Sequence, residues 1–427
     1  MNRLKFFSCL CMGFLALCFF PLENAMAGAV HGFFEFDYGG KIKESQTKHD
    51  AYNLFEQRLQ LKASYDPAVK FLSDLSTRFY FKGDFLVDEY FAGKTDFELR
   101  EANLSLTPYT WLDVKVGQQI LTWGTGDYLF INDVFPKDYV SFYIGRDDEY
   151  LKEPSDALKC SLYHELANLN LVIIPVFTPN TMPDGQRLSF FDPLEGGIVG
   201  TSSDRYLISP YNDFQDVEIA ARLYRNFDSY ETALYFFHGY YNIAYGYENE
   251  AAHQLFYPRL NVGGGSIRGP AFGGIMNIEA GLYDSLQDRK GDDRLVTNSS
   301  FRVMAGYDKD LGHDFKLGLQ YYFEEMLDYN NYKNSLLPAD FVQKEQKHFL
   351  TVRLTKLMML QTLKLSLFAF FSPVDLDFYI RPIIEYNATD QWKVVVGADF
   401  FGGSDEQTDF GSMRQNSNVY VRLRYNF

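Results

Sequence analysis

The sequence ends in a strictly alternating segment, and this alternation constrains the fold more than any other feature. Apolar side chains occupy every second position from Val419 to Phe427, and tyrosine, arginine and asparagine fill the positions between them. Successive side chains of a β-strand point to opposite faces, so the segment predicts a strand with one apolar and one polar face. Such a strand suits an apolar medium on one side and water on the other, and we expect the pattern to recur along the chain.

The alternation recurs from residue 32 onwards, with breaks at regular intervals. It predicts an all-β protein of about eighteen antiparallel strands, or sixteen if one pair of segments is misassigned. The predicted strands are residues 32–43, 55–65, 69–81, 97–107, 111–121, 156–165, 168–178, 215–226, 229–240, 255–268, 271–284, 298–308, 314–326, 347–358, 361–372, 376–387, 391–402 and 413–427.

The connections between the predicted strands follow a second pattern. Short turns come after the even-numbered strands, as at Asp66 and Pro67, whereas most odd-numbered strands are followed by longer polar segments, two of which span about 122–155 and 179–214. Short turns on one side and long loops on the other are typical of a transmembrane up-and-down β-barrel. In such a barrel lipid-facing and lumen-facing residues alternate, which explains why no segment of the mature chain reads as a membrane helix.

The N-terminus indicates export. Two basic residues precede an apolar run over residues 6–20, and small residues form a cleavage site before Gly28, which together predict a secretory signal peptide over 1–27. The mature chain, 28–427, is then a single outer-membrane barrel domain. It contains one cysteine, Cys160, and therefore no internal disulfide.

The polar face of the predicted strands carries many cations. If that face lines a lumen, the interior is net basic, although the mature chain has a net charge of −17, since the signal peptide takes one net positive charge from the precursor's −16. A narrow basic pore concentrates anions and hinders cations. Acidic residues share this face, so the alternative is that ion pairs hold a wet interior in shape. The predicted pore-lining residues are Arg58, Lys62, Arg78, Lys82, Arg100, Lys115, Arg222, Arg302, Lys316, Arg353, Arg381, Arg422 and Arg424.

The excess negative charge then lies in loops, for example at Asp147, Asp148 and Glu149, where solvation by water is the default interpretation. A sharper interpretation is that loop carboxylates bind Ca²⁺ or Mg²⁺, which prefer oxygen ligands, and bridge to lipopolysaccharide. We expect no other cofactor. The lack of a basic stripe argues against nucleic acid as a partner.

The most distinctive local stretch spans residues 117–138. It leaves a predicted strand and enters a glycine-broken segment whose polar groups suit a loop folded into a lumen. Here the sequence resembles the porin-like outer-membrane proteins related to the alginate-export family, in which a Gly-x-Gln strand leads through Trp-Gly to an Asn-Asp…Pro…Asp loop. The resemblance implies an eighteen-stranded barrel and passage of a solute across the outer membrane. The predicted constriction-loop residues are Trp123, Asp127, Asn132, Asp133, Lys137 and Asp138.

Two details qualify that resemblance. Gln118 stands where the family pattern leads us to expect an arginine, which argues against carrying over an acidic-polysaccharide ligand. The terminal Phe427 resembles the closing-strand aromatic of bacterial outer-membrane barrels, which implies that the barrel-assembly machinery recognises it.

The sequence therefore predicts a porin-like channel in the outer membrane of a Gram-negative bacterium, surrounded by lipid and lipopolysaccharide, through which small or polymeric anionic solutes diffuse. Two alternatives stay open, namely a barrel enzyme of the lipase or protease type and a structural or adhesive barrel. Catalysis of that type needs a nucleophile or carboxylate pair with a histidine base. None of the 7 histidines lies in a recognisable arrangement of this kind, so we do not expect an enzyme.

Overall fold

The computed structural model describes residues 30–66, 76–211, 213–338 and 340–427. The predicted signal peptide, 1–27, lies outside these ranges. Within them, none of the helices has the length and apolar character needed to cross a membrane.

Eighteen strands form one antiparallel sheet in which each strand pairs with the next along the chain. The first strand also pairs with the last, from Phe33 opposite Asn426 to Lys41 opposite Asn418, so the sheet closes into a barrel. The barrel strands are His31–Lys41, Tyr52–Tyr65, Ser76–Asp88, Lys94–Tyr109, Leu112–Ile120, Pro154–Leu162, Asn168–Ile174, Glu218–Phe227, Tyr230–Tyr240, Arg259–Ala271, Gly274–Ser285, Ser300–Asp310, Phe315–Met326, Gln346–Met358, Leu363–Ser372, Asp377–Asn387, Trp392–Gly403 and Asn418–Asn426.

This count of eighteen confirms the prediction from the alternating pattern. Residues 69–75 of the third predicted strand, 69–81, lie outside the described residues, and the described strand, Ser76–Asp88, ends seven residues beyond the predicted end. Gly83 and Asp84 look like a turn in the sequence, but Asp84 is buried and accepts a hydrogen bond from Arg58 (Nη1 to Oδ2, 2.7 Å). An inward-facing ion pair therefore extends this strand beyond its predicted end.

The connections alternate between the two ends of the barrel. Those after even-numbered strands are short, such as the two-residue turns at 228–229 and 272–273, although the predicted turn at Pro67 lies outside the described residues. The longest connections, 121–153 and 175–217, both follow odd-numbered strands. We call the two ends the short-turn end and the long-loop end, and their asymmetry agrees with the predicted parity.

The alternation of faces is clearest in the last strand. Val419, Val421 and Leu423 point outward and leave 38–45% of their surface exposed, whereas Tyr420 and Arg422 point inward and are buried. Outward apolar and inward polar side chains are what a lipid-embedded barrel requires.

One bulge changes which side chains reach the interior. The pairing of the third and fourth strands shifts by one residue between Lys82, opposite Glu101, and Gly83, opposite Leu99. The extra residue is Arg100, which is buried, while Glu101 keeps its inward position. A bulge leaves one residue unpaired and re-aims its side chain, so two successive charged residues serve the interior here.

Candidate functional site

The connection between the fifth and sixth strands, residues 121–153, folds into the barrel, and we call it the inserted loop. It contains a short helix, Tyr139–Tyr143, and a 3₁₀ turn, Asp148–Leu151. On one side its Asn132 backbone N–H donates to Glu279 Oε1 (2.7 Å), and on the other Asn418 Nδ2 donates to the carbonyl of Tyr143 (3.0 Å). Glu279 and Asn418 belong to the eleventh and eighteenth strands, so the loop crosses the interior.

The acidic residues Asp147, Asp148 and Glu149 meet the inward-facing cations of the barrel wall. We call them the acidic triplet. Their partners come from three separate strands, which ties the tip of the loop to the wall at several points. The contacts are Asp147 Oδ2 with Arg422 Nη1 (2.8 Å) and Arg424 Nη2 (3.0 Å), Asp148 Oδ1 with Arg381 Nη1 (2.5 Å), and Glu149 Oε2 with Lys82 Nζ (2.7 Å).

The interpretation of the acidic triplet as ordinary solvated loop charge was therefore wrong. Burial by itself raises the pKa of Asp147, but the guanidinium groups of Arg422 and Arg424 outweigh it and hold that pKa well below its usual range. The sequence could not reveal this, because Asp147 lies 275 positions from Arg422.

The other predicted cations near the inserted loop also have carboxylate partners. Arg58 shows the extreme case, since its side chain is almost completely buried and forms two short ion pairs. Removing one partner of such a pair leaves an uncompensated buried charge, so these groups serve the structure first. The pairs are Arg58 with Asp84 (2.7 Å) and Glu98 (2.6 Å), Arg100 with Glu153 (3.5 Å), Arg302 with Glu324 (3.1 Å), and Arg353 with Asp127.

Cations near the short-turn end are arranged differently. Lys62 and Lys316 were predicted, and they form no salt bridge with any carboxylate of the described chain. The same holds for three further inward-facing cations, Lys159, Arg268 and Lys364. Arg78 pairs with Asp66 at the exposed rim (2.8 Å), and Lys115 and Arg222 have partners on adjacent strands, Glu101 (3.6 Å) and Glu231 (2.6 Å).

The six predicted constriction-loop residues divide into two groups. Two form polar contacts with the barrel wall: Asn132 contacts Glu279, and Asp127 contacts Arg353. Four hold the loop itself together, which the sequence pattern could not distinguish from lining a pore. In this second group Trp123 packs edge-on against Phe135 (ring centroids 5.0 Å apart), Lys137 Nζ pairs with Asp133 Oδ1 (3.1 Å), and Asp138 accepts from the Ser141 N–H (2.8 Å) at the start of the helix.

Two further loop carboxylates, Glu250 and Glu406, have arginine partners. Glu250 pairs with Arg294 (2.5 Å), and Glu406 pairs with Arg414. Metal binding by the loops stays a prediction.

A cavity of about 630 Å³ lies on the long-loop side of the inserted loop. It is lined by tyrosines, including Tyr139, Tyr241 and Tyr245, together with Arg302 and Lys347, and we call it the tyrosine cavity. These tyrosines were not among the predicted site residues. The available signal was the aromatic segment 240–247, which contains four tyrosines.

Fold and inserted loop together define a class of architecture, the closed antiparallel barrel of eighteen strands with a loop folded into its interior. No protein-family model matches the sequence, and no curated protein matches it either. Solved structures do match. OccAB4 of Acinetobacter baumannii aligns with 95% of this chain and 99% of its own at 10% identity, with a TM-score of 0.55.

Two proteins of Pseudomonas aeruginosa align similarly, each at 10% identity and with a TM-score of 0.53. OccD3 (OpdP) covers 94% of this chain and 91% of its own, and OccK11 (OpdR) covers 94% and 96%. At this identity the likeness concerns the fold alone, and it does not extend to the alginate-export resemblance.

Proposed function

We propose that this protein is a passive channel in the outer membrane of a Gram-negative bacterium, through which small polar solutes pass beside the inserted loop, with a preference for anions. The observation that carries the proposal is the inserted loop itself, which crosses a closed barrel and is tied to its wall by charged contacts from Asp147, Asp148 and Glu149. A loop held in this way narrows a lumen without filling it, because polar cavities remain beside it.

The anion preference rests on the short-turn half of the lumen. There Lys62, Lys159 and Lys316 face the interior and lack a salt-bridge partner among the residues described. Unpaired charge in a low-dielectric wall concentrates counter-ions, whereas paired charge contributes little net field. The cations nearer the inserted loop are neutralised and therefore contribute less to ion selection.

The outward face supports the membrane location. Residues such as Phe34, Phe36 and Val421 are exposed on the barrel's outside, where lipid would cover them. Phe427 lies at the open short-turn end, pairs through its backbone with Gly32 (N to O, 3.0 Å) and keeps 47% of its surface exposed. An exposed aromatic side chain at this end supports recognition by the assembly machinery, and with it an orientation that has the long loops on the lipopolysaccharide side.

Planar-bilayer recording tests the proposal. The refolded mature protein should give discrete conductance steps, and a KCl gradient should give a reversal potential on the anion-selective side. A bilayer that stays silent with protein inserted, as judged by protease protection, would contradict channel function. Lipase, protease and cell-adhesion assays would then test the alternatives.

A further inference from the structure

The tyrosine cavity contains phenol groups without partners. In the described structure the hydroxyls of Tyr139, Tyr241 and Tyr245 make no hydrogen bond, although all three residues line the same cavity. Tyr241 is 95% buried, since only 5% of its surface is exposed, and its Oη is shielded as well as unpartnered. Leaving such a group unsatisfied is unfavourable, because it loses its hydrogen bonds to water and gains none in the protein.

Two neighbouring tyrosines at the same cavity are satisfied. Tyr283 donates its hydroxyl hydrogen to the Ile131 carbonyl (2.5 Å), and Tyr322 donates to Glu324 Oε2 (2.6 Å). Buried polar groups are normally satisfied, so the unpartnered Tyr241 hydroxyl at this cavity needs an explanation such as a ligand.

The charges of the cavity argue against an anion as that ligand. All the cationic side chains that line it have carboxylate partners within the described chain, so no cation is free to meet a ligand carboxylate or phosphate. These pairs are Arg302 with Glu324 (3.1 Å), Lys347 with Asp409 (3.4 Å), Arg294 with Glu250 (2.5 Å), Lys344 with Asp375 (2.7 Å) and Lys137 with Asp133 (3.1 Å).

The aromatic rings supply a second kind of contact. Tyr245 packs edge-on against Tyr241 (ring centroids 5.7 Å apart, planes at 82°) and keeps 45% of its surface exposed. A ring held at its edge offers a face to a ligand. One face of Tyr283 is already covered by the Arg302 guanidinium, 3.7 Å from the ring centre, so Tyr245 is the accessible platform.

The position of these tyrosines is fixed by the backbone around them. Asn242 Nδ2 donates to the Val134 carbonyl (2.6 Å), which ties the loop carrying Tyr241 and Tyr245 to the inserted loop. Tyr139 begins the helix of that same inserted loop. The free hydroxyls therefore come from two loops that are bonded to each other, and the site does not depend on one mobile segment.

We infer that the tyrosine cavity binds a short neutral saccharide before it passes the inserted loop. A phenol both donates and accepts a hydrogen bond, as a sugar hydroxyl does, and an aromatic face covers the apolar face of a sugar ring. The volume of about 630 Å³ lies within the range of small-molecule sites. The inference rests on the proposed channel for its purpose, but it does not rest on the anion preference.

Calorimetry of the refolded protein in an amine-oxide detergent, which carries no sugar, tests binding apart from conductance. The probes are the neutral trisaccharides maltotriose, cellotriose and raffinose, with benzoate as an aromatic anion. We expect at least one trisaccharide to bind and benzoate to give no heat of binding. Binding of benzoate alone, or of no probe at all, overturns the inference.

Variants locate the site. The double variant Tyr241→Phe/Tyr245→Phe removes two hydroxyls at nearly constant shape and should weaken trisaccharide binding about tenfold or more, because each hydrogen bond contributes roughly a factor of 2–10. Tyr257→Phe is the matched control, since Tyr257 is buried nearby but does not line the cavity. Equal binding by all three proteins overturns the assignment.

The two proposals fail separately. Conductance in a bilayer without trisaccharide binding refutes the saccharide site and leaves the channel intact. Binding without conductance supports the site and refutes passage through the barrel.

Discussion

Two regions of the same lumen use cations in different ways. Around the inserted loop, Arg381, Arg422 and Arg424 contact carboxylates of the acidic triplet and are buried or nearly so. Towards the short-turn end, Lys159 and Lys316 face the interior without a carboxylate partner in the described structure. Cations in the same inward phase of a strand thus hold a loop in one region and have no carboxylate partner within the described structure in the other.

An inward-facing cation is therefore not by itself evidence of ion selection. What matters is whether a carboxylate from elsewhere in the chain neutralises it. Near the loop, the ion pairs hold the inserted loop in place, because breaking a buried pair costs several kcal/mol. Near the short-turn end, the unpaired charge keeps its electric field. Salt at 0.1 M screens that field largely beyond about 10 Å.

The largest effect is expected from Asp147→Asn. This change leaves Arg422 facing a neutral group, whereas Arg424 keeps Glu35 (2.5 Å), and it should weaken docking of the inserted loop by about 3 kcal/mol, at the lower end for buried pairs because Asp147 is 27% exposed. A loosened loop widens the path, so single-channel conductance should rise and become noisier.

The matched control is Glu406→Gln. It removes a partner of Arg414 in another long-loop connection, where both side chains are well exposed, and surface pairs contribute little. If it raises conductance as much as Asp147→Asn does, the special role of the acidic triplet is wrong.

A smaller effect should follow from Lys159→Gln/Lys316→Gln. Removing two unpaired lumen charges should lower the chloride-to-potassium permeability ratio about twofold, since one charge in a wet pore contributes on the order of 1 kcal/mol or less. Conductance noise should not change, because neither residue contacts the inserted loop. An unaltered reversal potential would remove the basis for the anion preference.

The pH dependence follows from the depressed pKa of Asp147. A carboxylate whose folded pKa lies below its ordinary value stabilises the docked loop above that ordinary value, about 3.9, and this contribution is lost as pH falls through the lower, folded pKa. Between pH 7 and pH 4 conductance should therefore stay constant, and it should rise only in stronger acid. Opening already near pH 5 would show that Asp147 is not held by its arginines.

The smallest effect is expected from Arg78→Gln. Arg78 was among the predicted pore-lining residues, but it pairs with Asp66 at the exposed rim, where both side chains are more than half exposed. Conductance, selectivity and thermal unfolding should all match the wild type within error. A clear shift in reversal potential would place this rim within the selective region.

The barrel could be predicted from sequence because its signal is local. Alternation requires only that neighbours differ in polarity, and each strand from His31–Lys41 to Asn418–Asn426 carries it. The predicted end of the third strand was wrong because Gly83 and Asp84 are residue types common in turns. In the structure they continue the strand, and Asp84 forms an inward-facing ion pair with Arg58.

The interior could be predicted only in part. The segment 117–138 indicated a loop folded inward, but the acidic triplet lies beyond that segment, and its partners are far away in the chain. Tyr139 and Tyr241 are brought together by contacts between separate loops. Such contacts leave no periodic pattern in the sequence, because they form only when the whole barrel closes.

Cysteine accessibility tests whether solute passes through the barrel interior. In a Cys160→Ser background, Ser366→Cys places a thiol on the inward face, in phase with buried Phe368 and Phe370, whereas Leu367→Cys places one on the outward face, in phase with exposed Phe371. The account predicts that a charged, membrane-impermeant thiol reagent reduces the current through Ser366→Cys and leaves Leu367→Cys unchanged. Equal sensitivity of the two variants, or block of Leu367→Cys alone, would contradict it.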